Sequence, residues 1–127
     1  LKDGIDLPES LTVIGAMAFA STNLGEVVIP GSVKTVHLKC FYGCTSLLTV
    51  VISEGVETLD QSAFAECSKL TDVTLPRSIK SVPNSAFFNC KALSRINFGG
   101  TVAEWNAWED SKWLYYVAVY CTDGTIN

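Results

Sequence analysis

Residues 7 to 98 repeat one pattern, and that repetition limits what the chain can fold into more than any other feature of it. Four segments align, beginning at Leu7, Ile29, Ile52 and Leu75, and Phe98 opens the register once more. The last three are 23 residues long; the first is 22, lacking one residue between Phe19 and Leu24. Five apolar columns recur. They hold Leu7, Ile29, Ile52, Leu75 and Phe98; Ile14, Val36, Leu59 and Val82; Phe19, Phe41, Phe64 and Phe87; Leu24, Leu47, Leu70 and Leu93; and Val27, Val50, Val73 and Ile96. A unit this short cannot bury its own apolar face, so a core forms only when successive units stack.

Each unit reads as one coil in three parts. A stretch such as Leu47 to Ile52 has strand composition, and Pro8, Pro30 or Pro76 ends it. A second short strand follows, for example Val33-Lys34-Thr35-Val36. A tight turn then carries Ala-Phe-x-x-Cys, where a single helical turn would point Phe64 and Cys67 inward together. Coils spaced like paired strands, ~4.8 Å apart, give a right-handed superhelix, mainly β with short helical turns. Residues 1–98 are thus expected to hold four stacked repeats and a partial N-terminal coil, with 99–127 a capping segment of the same domain. In that segment Thr101 and Glu104 form a capping box for a helix through about Trp108. Tyr116 to Cys121 is strand-like, and Asp123-Gly124 signals a tight hairpin. Trp105, Trp108 and Trp113 are read as a plug over the last coil, with a sugar-stacking platform as the alternative.

Ile29-Pro30-Gly31-Ser32-Val33 and Ser62-Ala63-Phe64-Ala65-Glu66-Cys67-Ser68-Lys69-Leu70 together resemble the repeat unit of the BspA-like leucine-rich repeats of bacterial surface proteins. The resemblance covers residues 7 to 98. Gly100 to Trp108 and Cys121 to Gly124 also look like the closing segment of such proteins. It implies a leucine-rich-repeat solenoid, an extracellular or cell-surface location, and a role in adhesion or protein binding. Fold alone does not fix that role.

Other classes lack their chemistry. Apolar residues make up 48% of the 127 and charged residues 17%, which suits a packed core and argues against disorder. Net charge is −4 and the lysines and arginines are scattered singly, so the basic stripe that nucleic acid or an anionic membrane requires is missing. No apolar stretch suits membrane insertion. The opening Leu1-Lys2-Asp3-Gly4 reads as the start of a piece of something longer, leaving an uncapped N-terminal end through which copies would associate. Cys44, Cys67 and Cys90 lie one repeat apart and are expected as a ladder of buried free thiols; neighbouring pairs fall within disulfide reach, but parallel side chains and an odd count oppose bridging. A single-file ladder cannot converge on zinc. Cys40 stands where Ala18, Ala63 and Ala86 stand, so packing explains it. His37 shares a column with Gly15, Asp60 and Pro83, an exposed turn with no orienting partner for catalysis. No catalytic, metal or cofactor site is assigned, no cofactor is expected, and the chain is not read as an enzyme.

The outward columns carry what remains. On the second strand they hold Thr12, Lys34, Glu57 and Lys80, then Val13, Thr35, Thr58 and Ser81, a solvated face on which Lys34, Glu57 and Lys80 are candidates for cross-strand pairs. On the first they hold Gly25, Leu48, Thr71 and Ser94; Glu26, Thr49, Asp72 and Arg95; and Val28, Val51, Thr74 and Asn97. Val28, Leu48 and Val51 sit together, either as ordinary surface hydrophobes or as a contact patch. With Glu26, Thr49, Asp72 and Arg95 they make the candidate protein-binding face, for a protein or a host surface component. Repeats serving only as a structural spacer, and a carbohydrate-binding module, are the alternatives.

Overall fold

A computed structural model describes residues 4–80, 82–108 and 117–126. The long strands are β1 (Gly4–Asp6), β2 (Glu26–Ile29), β4 (Thr49–Ile52), β6 (Asp72–Leu75), β7 (Arg95–Phe98), β8 (Ala118–Cys121) and β9 (Gly124–Ile126). Among the described residues they form one sheet in the order β1-β2-β4-β6-β7-β8-β9, parallel except for the last pair. Sequence columns become structural rungs: Val27 pairs with Val50, Val50 with Val73, Val73 with Ile96 and Ile96 with Val119. Strand alternation buries Val27 and Ile29 and turns Glu26 and Val28 outward, and β4 repeats this. The chain is a mainly β solenoid.

The second strand is shorter than expected. Among the described residues only β3 (Thr35–Val36) and β5 (Thr58–Leu59) form a ladder, to which Ile14 adds a bridge at Val36. Val33 and Val56 are instead spent in the preceding turn, where their N–H groups donate to the carbonyls of Pro30 and Ser53. Pro8, Pro30 and Pro76 suit this place because a strand must stop where its N–H is missing and the turn needs only the carbonyl. At one such turn the coils nearly touch. Gly55 has φ +114, and a Cβ there would lie 2.6 Å from the Gly31 carbonyl oxygen.

The turn bearing Ala-Phe-x-x-Cys is not a helical turn. Alternate N–H groups close short turns within the coil, as from Cys40 to His37 and from Tyr42 to Lys39. The others donate to the next coil, as from Phe41 to Ala63 and from Gly43 to Ala65. This zigzag demands left-handed backbone at the positions two before and two after the Phe: Met17 and Ser21, Lys39 and Gly43, Ser62 and Glu66, and Asn89 all have positive φ. Each non-glycine there costs ~1–2 kcal/mol, offset by the hydrogen bonds the conformation permits. Phe and Cys still point inward.

Inside, Phe19, Phe41, Phe64 and Phe87 form one continuous stack, with ring centroids 5.3, 5.1 and 5.5 Å apart and nearly parallel planes. Phe41 and Phe64 are fully buried. Phe19 and Leu24 are only half-buried, since a ring or leucine at the edge coil is covered from one side. The same core runs on without a break to Trp105, Val117 and Val119.

The end of the stack is closed by α1 (Val102–Asn106), shorter than the sequence suggests. Its capping box is complete: the Thr101 hydroxyl accepts from Glu104 N–H and the Glu104 carboxylate accepts from Thr101 N–H. Glu104 also pairs with Arg77 at 3.0 Å, tying the helix to the preceding coil. Asp123 accepts from Val102 N–H, tying the hairpin to the helix start. That hairpin joins β8 to β9 with Cys121 opposite Gly124, so its turn is Thr122–Asp123 and Gly124 already lies in the strand.

Candidate functional site

The outward face of the parallel sheet is a regular surface on which side chains stand free of the core. Its rungs run Glu26, Thr49, Asp72, Arg95 and Ala118, and beside them Val28, Val51, Thr74, Asn97 and Tyr120. Val28, Leu48 and Val51 are 51%, 49% and 37% exposed, high for large aliphatic residues. Val28 and Val51 are direct partners; Leu48 stands just before β4, its N–H donated to the Gly25 carbonyl. A shallow groove of about 440 Å³ crosses the strand ends here, lined by Val51, Thr74 and Asn97 and, beyond them, by Ser53, Glu54 and Pro76. The Glu54 carboxylate accepts the N–H groups of Arg77 and Ser78 one coil on.

The charged members of the face do not pair along their column. Asp72 and Arg95 are register partners, yet the Arg95 guanidinium turns the other way. Its Nε donates to the Asn97 side-chain oxygen at 2.8 Å, and its plane lies over the Tyr120 ring, 3.8 Å from the centroid. Tyr120 lies outside the repeat. β8 delivers it, pairing beside Asn97. Sequence reasoning placed Arg95 on the face and missed Tyr120, whose only signal is that Tyr116 to Cys121 reads as a strand continuing the register.

On the second-strand face, Lys80 reaches Glu57 at 3.5 Å, but Lys34 does not join them. Its ammonium lies instead 3.3–3.4 Å from the carbonyls of Gly31 and Gly55, which the turn leaves open beside it. His37 does find a partner, Asp60 one coil on, at 3.6 Å, with both side chains well exposed.

The cysteine column is more than apolar filling. Cys44, Cys67 and Cys90 each donate to the carbonyl of the Phe one coil back, Phe19, Phe41 and Phe64, at 3.1, 3.3 and 3.0 Å. Those carbonyls belong to the zigzag turn, so the thiols satisfy backbone acceptors. In the first coil Thr22 takes the cysteine position and bonds its own Phe19 carbonyl. All five cysteines are free; Cys40, Cys44 and Cys67 are buried, whereas Cys90 is only partly buried, being nearer the end of the stack. The neighbouring Cys44 and Cys90 thiols, together with burial, push the Cys67 thiol far up. Burial pushes Cys40 up to about 11, a poor nucleophile, and only its backbone N–H meets His37.

At the closing end, Trp105 is buried and Trp108 half-buried, and both pack edge-on to Phe98, at 5.5 and 5.1 Å. They pack together over the last coil, their centroids 4.8 Å apart, and so fill the plug role. Trp113 lies outside the described residues. Among the described residues no group of three or more His, Cys, Asp or Glu gathers as a metal site, and no helix is long and apolar enough to cross a membrane.

Comparison with known proteins follows the geometry. No curated protein matches the chain. The crystal structure of a leucine-rich cell surface protein from Faecalibacterium prausnitzii superposes with a TM-score of 0.77 at 34% identity, over 81% of this chain and 27% of that one. The chain therefore spans about a quarter of that protein's length. A leucine-rich repeat protein from Bacteroides ovatus gives a TM-score of 0.48 at 21% identity, over 80% of this chain and 31% of that one. The family model for the BspA-type leucine-rich repeat region matches residues 2–111 in six copies, two more than the four full repeats counted from the columns. A match over that span, on a solenoid with these rungs, makes the chain a member of the BspA-type leucine-rich repeat family.

Proposed function

We propose that this repeat scaffold is a non-enzymatic protein-binding or adhesion module of a bacterial cell-surface protein, and that it binds through the outward face of the parallel sheet. Glu26, Val28, Leu48, Thr49, Val51, Asp72 and Arg95 form that face. The observation that carries the reading is the exposure of Val28, Leu48 and Val51 on a regular sheet whose inner columns are closed. Exposed aliphatic residues clustered beside polar ones mark contact surfaces more often than isolated ones do. Membership of the family and likeness to a protein described as a cell surface protein support the location. A carbohydrate platform is disfavoured, because Trp105 and Trp108 pack on Phe98 and Arg95 covers a face of Tyr120.

Beads coated with the chain and washed over a cultured epithelial monolayer test this. Retention should exceed that of albumin-coated beads and fall to that level with the Leu48→Asp, Val51→Lys double variant. Retention no better than albumin refutes the binding reading in favour of a spacer. Retention abolished by periodate oxidation of the monolayer transfers the role to carbohydrate.

A further inference from the structure

We infer that Arg95, held by Asn97 and Tyr120, is a carboxylate-anchoring site, and that the partner of this face is an extended protein segment presenting an acidic side chain to it. The inference rests on the sheet face being the binding surface and names the chemistry of its partner. An exposed arginine ordinarily samples many rotamers and gives up that freedom on binding. Arg95 has already given it up. Its Nε is engaged by Asn97 and its plane is stacked on Tyr120, so the unused donors are the two Nη groups, and among the described residues no carboxylate lies within ion-pair distance of them. A planar fork fixed in place, with its outer N–H groups free, matches a carboxylate in two-point contact. The nearest column neighbour, Asp72, stands one rung away and is not used.

The same face says where the acid must sit. The other described charges of the face and its groove, Glu26, Asp72 and Glu54, are negative, so an acidic side chain is repelled over β2, β4 and β6 and welcomed only at the β7–β8 end. At the opposite end lies the Val28–Val51 pair, and the groove joins Val51 to Asn97 across two rungs. At ~4.8 Å per rung, Val51 and Val28 lie roughly 10 and 14 Å from the Asn97 rung. An extended chain crossing the strands advances ~3.3 Å per residue and returns to the same face every second residue. Four residues, about 13 Å, therefore separate an apolar side chain seated on the valines from an acidic one on Arg95.

A random peptide library displayed on yeast, selected separately on the wild-type chain, Arg95→Gln and Leu48→Asp/Val51→Lys, tests this. The wild-type pool should be enriched in an apolar residue and an Asp or Glu four positions apart, in either direction. The Arg95→Gln pool should keep the apolar residue and lose the acid. Replacing the acid by its amide in a selected peptide should weaken binding to wild type about tenfold and leave binding to Arg95→Gln unchanged. Acid enrichment absent from the wild-type pool, or equal in the Arg95→Gln pool, overturns the anchor. If those peptides still lose binding to Leu48→Asp/Val51→Lys, the face survives without its anchor. If they bind that variant undiminished, the reading of the face falls as well.

Discussion

Replacing Phe64 with alanine removes one of the two fully buried rings of the phenylalanine stack. Phe64 is fully buried, with Phe41 at 5.1 Å on one side and Phe87 at 5.5 Å on the other. Burying a phenylalanine is worth ~1.5–3 kcal/mol, and each aromatic pair adds ~0.5–1.5 beyond area. Emptying the site should therefore cost about 3–5 kcal/mol, the range seen for Phe→Ala in cores. Phe19→Ala takes away one pair from a half-buried position and should cost roughly half as much. Lys34→Ala should cost under about 0.5 kcal/mol, its ammonium being held only by two long contacts to carbonyls. Urea titration followed by tryptophan fluorescence reads all three, because Trp105 is buried in the same core. With a slope near ~2 kcal/mol per molar, Phe64→Ala should lower the midpoint by about 2 M. If Phe64→Ala and Phe19→Ala lose the same amount, the coils do not couple through the stack and the argument fails.

Other expected outcomes concern the thiols, the caps and the apolar patch. Thiol labelling of native protein should modify Cys90 and Cys121, both partly exposed, well before Cys40, Cys44 and Cys67, and denaturation should abolish the order; fast native labelling of Cys67 would contradict its burial and raised pKa. Thr101→Ala should cost about 1 kcal/mol in urea titration by deleting the helix cap. The Thr101 N–H and then Arg77 hold the Glu104 carboxyl below its usual range, so its contribution is present above the unfolded value and is lost as pH falls through the folded one. Glu104→Gln should accordingly flatten the acid limb of a stability–pH profile, and an unchanged limb would count against the cap. Gly55→Ala should destabilise by more than about 1 kcal/mol, because it needs left-handed backbone and space already taken by Gly31; a neutral result in the melt would disprove the close approach. Sedimentation at high concentration should show the chain associating through the Val28–Val51 patch, and Leu48→Asp/Val51→Lys should reduce it; a monomer throughout refutes this route.

The core columns could be read from sequence because each is written several times over and every copy is constrained by the one above it. The capping box could be read because Thr101 and Glu104 satisfy each other locally. The zigzag turn could not. Lys39 and Glu66 carry none of the glycine signal that left-handed backbone usually leaves, since their N–H groups donate to carbonyls of a neighbouring coil. Lys34 was expected to pair by charge with Glu57, and the open carbonyls that take it exist only because two glycine-containing turns meet. Arg95 and its strand neighbour Asn97 were visible as column members, but Tyr120 became a partner of Arg95 only when β8 joined the sheet from outside the repeat.

That contrast explains why a repeat declares its fold so much more clearly than its ligand. An inward position must resemble its neighbours above and below, because a stack of unlike shapes leaves voids. An outward position answers to no such rule, so its column is free to differ from coil to coil. The first outward column runs Glu26, Thr49, Asp72, Arg95 and the second Val28, Val51, Thr74, Asn97; neither repeats a residue type beyond the two valines. On the proposed reading recognition lies in those differences, since an invariant face would offer a partner no unique register. Sign changes once, between Asp72 and Arg95, and polarity changes once, between Val51 and Thr74, and the two changes fall on adjacent steps of the same ladder. A crossing segment can satisfy both only in one position along the stack, which is what a specific partner needs and a uniform spacer does not.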